Sequence, residues 1–313
     1  MSPKVLVTGA CGQIGSELVP FLAGRLGPDN IISLDLVSPP PNFPKGFFSQ
    51  DIMDSSALRK LLTSQNIGTV YHLVSLLSAA GEKDPQTAWR VNIGSLKNLL
   101  DLSVELKFRL FWPSSIAAFG PTTPRDRTPQ HTVMAPTTMY GVTKVAGELL
   151  CQYYYHKFGI DVRSLRYPGL ISWKTPPGGG TTDYAVAVFY EGLATGLYTC
   201  FVRPDTVLPM MYMDDAIRAT FELMSAPREQ ISVHTSYNLA GISFSISELV
   251  SEINKTAPVQ VDYQPDFRQE IADSWPRSID DSVAAGDWHW RPEFDLPRLV
   301  EVMLTNLKNQ KKP

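Results

Sequence analysis

Tyr140 and Lys144 stand four residues apart in the string Tyr140-Gly141-Val142-Thr143-Lys144. On a helix, residues four apart share a face, so the phenol and the ammonium would stand side by side. An ammonium stabilises phenolate and draws a tyrosine pKa down from about 10. The pair therefore predicts a general base for the oxidation of an alcohol. Spacing alone is weak evidence, because 12 tyrosines and 13 lysines give about half such a pair by chance. A second pair, Tyr153 and Lys157, does occur. It lies nearly opposite the first at about 100° of rotation per residue, and we assign it to packing and surface. Context favours the first pair. Trp112-Pro113-Ser114-Ser115 ends an apolar run upstream. A hydroxyl there, from Ser115 or Ser114, can reach both the phenol and a substrate oxygen.

These residues need a frame that brings a helix face to a strand end. Short apolar runs are expected as strands at 5–8, 31–35, 70–74, 110–114 and 162–166, with a strand-like stretch at 46–49. Helical patterns lie between them: from a glycine turn to about residue 23, over 56–62 behind a cap at Asp54 or Ser55, over 88–106 and over 139–158. Alternating strands and helices with near-continuously apolar strands predict an α/β fold, a doubly wound parallel sheet covered on both faces. Beyond residue 171 the pattern breaks. The stretch 175–182 reads as a loop, 183–193, 214–224 and 246–254 as helices (the last with Ser245 as a cap), and 236–239 as a strand; 275–295 has no clear pattern.

The glycine turn is Gly9-Ala10-Cys11-Gly12-Gln13-Ile14-Gly15, placed between the first strand and the first helix. Gly9 permits the tight turn, Gly12 the approach of backbone to a pyrophosphate, and Gly15 close packing of helix on strand. The helix N-terminus offers N–H groups to the phosphates. Asp35, 20 residues past Gly15, can accept from the ribose hydroxyls and repel a 2′-phosphate, which predicts NAD rather than NADP. Asp51-Ile52 follows the 46–49 stretch and is a candidate contact for the adenine.

Composition sets the outer bounds. The chain has 313 residues, a net charge of −3 and 19% charged residues. One large or two closely joined domains are expected. The charge balance argues against nucleic acid as a partner. The basic cluster Lys308, Lys311 and Lys312 reads as a chain end. Cys11, Cys151 and Cys200 are few and widely spaced, which favours a reducing compartment, the cytoplasm or the mitochondrial matrix. A presequence is not visible, and no run is apolar enough to span a bilayer. No Cys or His spacing fits a metal site, so none is expected.

Taken together, the motifs resemble the extended short-chain dehydrogenase/reductase family. VTGACGQIG, LD at 34–35, HL at 72–73, Asn92, PSSIAAFG at 113–120, YGVTK at 140–144 and RYPGLI at 166–171 stand in that family's order. RYPGLI departs from the commoner RxxNxxGP. The resemblance implies a Rossmann domain over 1–171, rejoined by about 208–242, with a smaller substrate-binding region in 172–207 and 243–313. It implies Tyr140 as base, Lys144 as its partner and a ribose ligand, and Ser115 as the catalytic hydroxyl with Ser114 second. His72, Leu73 and Asn92 would line the cofactor groove, and Tyr167 the nicotinamide pocket.

The second half is similar to the L-threonine 3-dehydrogenases of that family, through SWKTPPGGGTTDYAV, LPMMYMDDAIRA, YNLAG and SWPRSIDDS…DWHWRPEFDL. His289 stands where glycine is expected. This implies NAD-dependent oxidation of L-threonine at Cβ to 2-amino-3-oxobutanoate, a step towards glycine and acetyl-CoA. Ser78, Thr181, Thr182 and the N–H groups of Gly178–Gly180, Gly179 among them, are candidate holders of the carboxylate; Asp183 is the candidate for the ammonium. The glycines also make 175–182 a candidate hinge. A nucleotide-sugar epimerase or dehydratase, or a non-catalytic NAD-binding protein, are the competing readings. The helices at 88–106 and 139–158 resemble those that form the family's homodimer interface.

Overall fold

The computed structural model describes residues 3–41 and 43–310; Lys311 and Lys312 lie outside them. Twelve strands and eleven α-helices follow one another among the described residues. The first half runs β1 (Lys4–Thr8), α1 (Gly15–Leu26), β2 (Ile31–Asp35), β3 (Phe47–Ser49), α2 (Ser55–Ser64), β4 (Ile67–His72), α3 (Ser78–Lys83), α4 (Pro85–Leu106), β5 (Arg109–Ser115), α5 (Met139–Phe158), β6 (Val162–Tyr167). The second half runs β7 (Gly169–Ile171), α6 (Tyr184–Thr195), β8 (Leu197–Cys200), β9 (Val207–Tyr212), α7 (Met213–Ser225), β10 (Tyr237–Asn238), β11 (Ile242–Ser245), α8 (Ile246–Asn254), β12 (Gln260–Tyr263), α9 (Phe267–Asp273), α10 (Ser282–Trp288), α11 (Leu296–Gln310).

Seven strands form a parallel sheet in the order β10-β6-β5-β4-β1-β2-β3. Strand order reverses between β1 and β4, and a crevice opens at such a switch point beyond the carboxyl ends of the strands. Gly9, Leu73 and Ser115 all lie at those ends. The fold is therefore the Rossmann type that the alternation predicts.

Local chemistry explains which boundaries are sharp. Asp54 accepts the N–H of Ala57 and starts α2. Ser245 and Glu248 form a reciprocal capping box on α8. Thr138 caps α5 and Gly159 ends it in the left-handed region. The strand expected at 70–74 instead spans Ile67–His72; Gly68 and Thr69 mask its start, and Val74 lies beside the glycine turn.

The second half holds elements that the pattern does not reveal. β11, β9 and β7 make a three-stranded sheet, and β12 pairs with β8. The unassigned stretch begins as a strap that bridges Thr128 at Ile279 and continues into α10. His289 closes α10 at φ 62°, which explains why glycine suits that position. Trp288 and Trp290 beside it are buried in the core between α1, α7 and the sheet.

Candidate active site

The glycine turn forms a cradle that side chains would fill. Gly9 has φ 70°, and a Cβ on it would lie 2.9 Å from the Val74 nitrogen. A Cβ on Gly15 would lie 2.2 Å from the Gly9 carbonyl oxygen. No side chain caps α1; the Ser16 and Glu17 N–H groups bond to the Gly12 and Ile14 carbonyls at 2.9 and 3.2 Å, which leaves those of Gln13, Ile14 and Gly15 for an anion. Asp35 ends β2 beside this turn. Its Oδ2 accepts the Cys11 N–H at 2.9 Å, and Oδ1 accepts those of Leu36 and Val37 at 2.7 and 3.1 Å. Uncapped helix, glycine cradle and anchored carboxylate together fit the diphosphate and ribose of NAD.

Three residues expected at the cofactor groove have buried side chains. The His72 side chain is sealed beneath the groove, between the hydroxyls of Thr8 at 2.7 Å and Ser95 at 2.9 Å. Burial pulls its pKa down to about 3, so the ring is neutral. Asn92 is also buried. Its amide oxygen accepts the Leu76 N–H at 2.8 Å, while Nδ2 donates to Leu76 O and Thr143 Oγ1. It ties the loop after β4 to α5. Ile52 belongs to the core against α2 and α4, leaving exposed Asp51 at that edge. A buried polar side chain, as His72 on β4 and Asn92 on α4 are, must find partners inside the protein, whereas apolar Ile52 joins the core.

At the switch point a cleft of about 130 Å³ is lined by Gln13, Ile14, Leu73, Ser78, Ser115, Tyr140, Lys144, Tyr167, Thr181 and Thr182, among others. β5 delivers Ser115 and the first turn of α5 delivers Tyr140. Ser115 and Tyr140 both line this cleft, and the Ser115 side chain acts on the phenol. Lys144 Nζ donates to the Pro113 carbonyl at 2.7 Å and lies 5.1 Å from the centre of the Tyr140 ring. Burial dominates both groups: it pushes the phenol up to about 12, partly offset by Ser115, and pulls the ammonium down to about 7. The phenol is therefore raised here, opposite to the shift that an adjacent ammonium alone would give. Tyr153 and Lys157 are exposed on the far side of the helix.

Ser114 also borders the cleft, but its hydroxyl donates to Glu148 at 2.6 Å. That bond turns the hydroxyl into the core. Alternation along a strand puts Ser114 and Ser115 on opposite faces, and Ser115 is the one that meets the phenol.

The 172–183 loop closes the other side. Ser78 and Thr181 meet at 3.4 Å, both buried. Asp183 Oδ2 accepts three successive N–H groups, from Gly178, Gly179 and Gly180, at 2.7, 2.7 and 2.8 Å. The glycine N–H groups and Asp183 thus satisfy one another, and neither is free for opposite ends of a zwitterion as the sequence reading expects. A run of N–H groups forms an anion-binding nest, and a carboxylate three residues further on reaches it first. Ser78, Thr181 and Thr182 remain as polar lining. Leu77, Ile116 and Trp275 add apolar walls; the motifs that hold Ile116 and Trp275 give no sign of this role, because only the folded strap brings Trp275 to this place.

Residues 5–240 match the NAD dependent epimerase/dehydratase family. The chain belongs to that family, with the fold of an extended short-chain dehydrogenase/reductase and NAD as cofactor. It is 49% identical over 305 residues to a mitochondrial L-threonine 3-dehydrogenase of Bos taurus, covering 96% of this chain and 82% of the relative. The holo structure of a GalE-like L-threonine dehydrogenase from Cupriavidus necator is 51% identical, with TM-score 0.95, over 97% of this chain and 100% of that one. A monomeric L-threonine 3-dehydrogenase from a metagenome is 49% identical, with TM-score 0.96, over 98% of this chain and 100% of that one.

Proposed function

We propose that this protein is an NAD-dependent L-threonine 3-dehydrogenase that oxidises the Cβ hydroxyl of L-threonine to the ketone of 2-amino-3-oxobutanoate. The observation that carries the reading is the meeting of Tyr140, Ser115 and Lys144 at the small cleft over the switch point. NAD, when bound, supplies the acceptor for the hydride that leaves Cβ. Tyr140 takes the hydroxyl proton. Ser115 holds the oxygen as its bond order rises. Lys144 supplies the positive field that favours phenolate. Ser78, Thr181 and Thr182 offer hydroxyls for the polar ends of the amino acid, and closure of the 172–183 loop excludes water.

In this reading residues 1–171 with about 208–242 hold the cofactor, while 172–207 and 243–313 hold the substrate. The product would pass to a ligase that splits it into glycine and acetyl-CoA. The protein would work as a homodimer through α4 and α5, in the cytoplasm or the mitochondrial matrix. Among the described residues no helix is long and apolar enough to cross a membrane.

NADH formation with L-threonine, L-allo-threonine and L-serine, each with NAD⁺ or NADP⁺, together with product analysis after incubation with a UDP-sugar, tests the assignment. Turnover confined to L-threonine with NAD⁺ is expected. Nucleotide-sugar conversion without threonine turnover would overturn it.

A further inference from the structure

α5 carries a third functional-group residue on the face of Tyr140 and Lys144. Glu148 lies one turn beyond Lys144, at the same spacing of four. Its side chain is fully buried, and a buried carboxylate requires donors. Ser114 donates to Oε1 at 2.6 Å. Arg166 on β6 donates through Nε to Oε1 at 2.9 Å and through Nη2 to Oε2 at 2.7 Å. Arg166 Nη1 in turn donates to the Gln130 carbonyl and to Asn238 Oδ1, both at 2.9 Å. Asn238 donates onward to the carbonyls of Thr128 and Asp280. The carboxylate is held from two strands and cannot turn away.

One turn before Glu148 on the same helix stands Lys144, and the two side chains reach adjacent residues of β5, Ser114 and Pro113. The ammonium is buried, 4.7 Å from the centre of the Trp112 ring. Burial disfavours its charge; Glu148 is the larger opposing influence and Cys151 the smaller. The other groups around it are Tyr140 on α5, neutral His72 on β4 and Arg166 on β6, while β5 presents the Pro113 carbonyl, Ser114 and Trp112. Neither the base nor the cofactor site uses Glu148 directly.

We propose that Glu148, locked by Arg166 and Ser114, is a positioning residue that keeps the Lys144 ammonium charged on the face it shares with Tyr140. This rests on Tyr140 being the base.

The test compares kcat against pH for the unmodified enzyme, Glu148→Gln, Glu148→Gln/Arg166→Gln and Tyr140→Phe, with NAD⁺ and L-threonine saturating. Loss of the carboxylate leaves Lys144 neutral over more of the pH range. A neutral amine does not stabilise phenolate, so the rise of kcat with pH moves to more alkaline values, by about one unit. At neutral pH kcat then falls about tenfold, while KM for L-threonine is unchanged. The single variant leaves Arg166 unpaired and is less stable; the double variant removes that charge, melts as one cooperative transition and shows a smaller displacement in the same direction, because Arg166 no longer repels the ammonium. A merely structural Glu148 would lower stability without moving the profile, so an unmoved profile in either folded variant overturns the inference. If Tyr140→Phe abolishes turnover while the Glu148 profiles stay put, the base stands and the positioning role falls. If Tyr140→Phe turns over at the unmodified rate, the base assignment falls and this inference with it.

Discussion

Ser114 and Ser115 are adjacent residues with separate fates. Ser115 meets the phenol, whereas Ser114 belongs to the buried carboxylate of Glu148. Ser115→Ala removes a donor to the developing ketone oxygen and lowers kcat by about 10²-fold. Ser114→Ala leaves the reacting atoms alone and deprives Glu148 of one donor, at a cost of about 1–3 kcal/mol in stability. Steady-state kinetics and urea unfolding of both variants separate the two effects. His72 predicts an acid limit. Its folded pKa is about 3 against about 6.5 unfolded, so the unfolded chain takes up the proton first. The stability it contributes is full above pH 6.5 and declines as pH falls towards 3. At pH 5 the loss is about 2 kcal/mol, which His72→Gln abolishes in urea midpoints compared at pH 7 and 5. The sequence reading picks out Tyr140, Lys144 and the serine pair, which the fold brings to one cleft, because spacing and residue type are local properties. The burial of His72 and Asn92 is not legible in it, since side-chain direction depends on packing.

Elements with local start and stop signals are legible in the sequence. The helix at 139–158, with Thr138 and Gly159 at its ends, and that at 246–254, behind Ser245, have matching bounds. β8 pairs with β12 from distant sequence, and no local pattern carries that information. α5 itself fits tightly on β5. A Cβ on Gly147 would lie 2.3 Å from the Trp112 ring, the ring on which Lys144 rests. Gly147→Ala therefore forces Trp112 to move, costing about 1–3 kcal/mol and lowering kcat more than it changes KM. Thermal melting with steady-state kinetics checks this; an unchanged melting temperature would show that the ring gives way freely.

For the whole molecule, one face carries unpartnered apolar surface. Trp89 on α4 and Val142, Leu149, Tyr153 and Phe158 on α5 are between 40% and 53% exposed. The proposed homodimer would bury them, and C2 pairing of one face with its copy is the commonest arrangement. Leu149→Asp is expected to convert a dimer to a monomer in sedimentation equilibrium, because it places a charge in an apolar contact. A monomeric unmodified protein would contradict the dimer and leave the active site as described. The strap over 275–281 is legible only at this scale. It joins the loop after β5 through Thr128 and Ile279 and brings Trp275 to the cleft.

The central claim is that Tyr140 takes the proton of the alcohol. Its most direct test is a single-turnover measurement of NADH absorbance, with NAD⁺-loaded enzyme mixed with L-threonine, for the unmodified protein and Tyr140→Phe. The account predicts a rate lower by about 10²–10⁴-fold in the variant, with NADH binding by fluorescence unchanged. A variant that reduces NAD⁺ at the unmodified rate would contradict it.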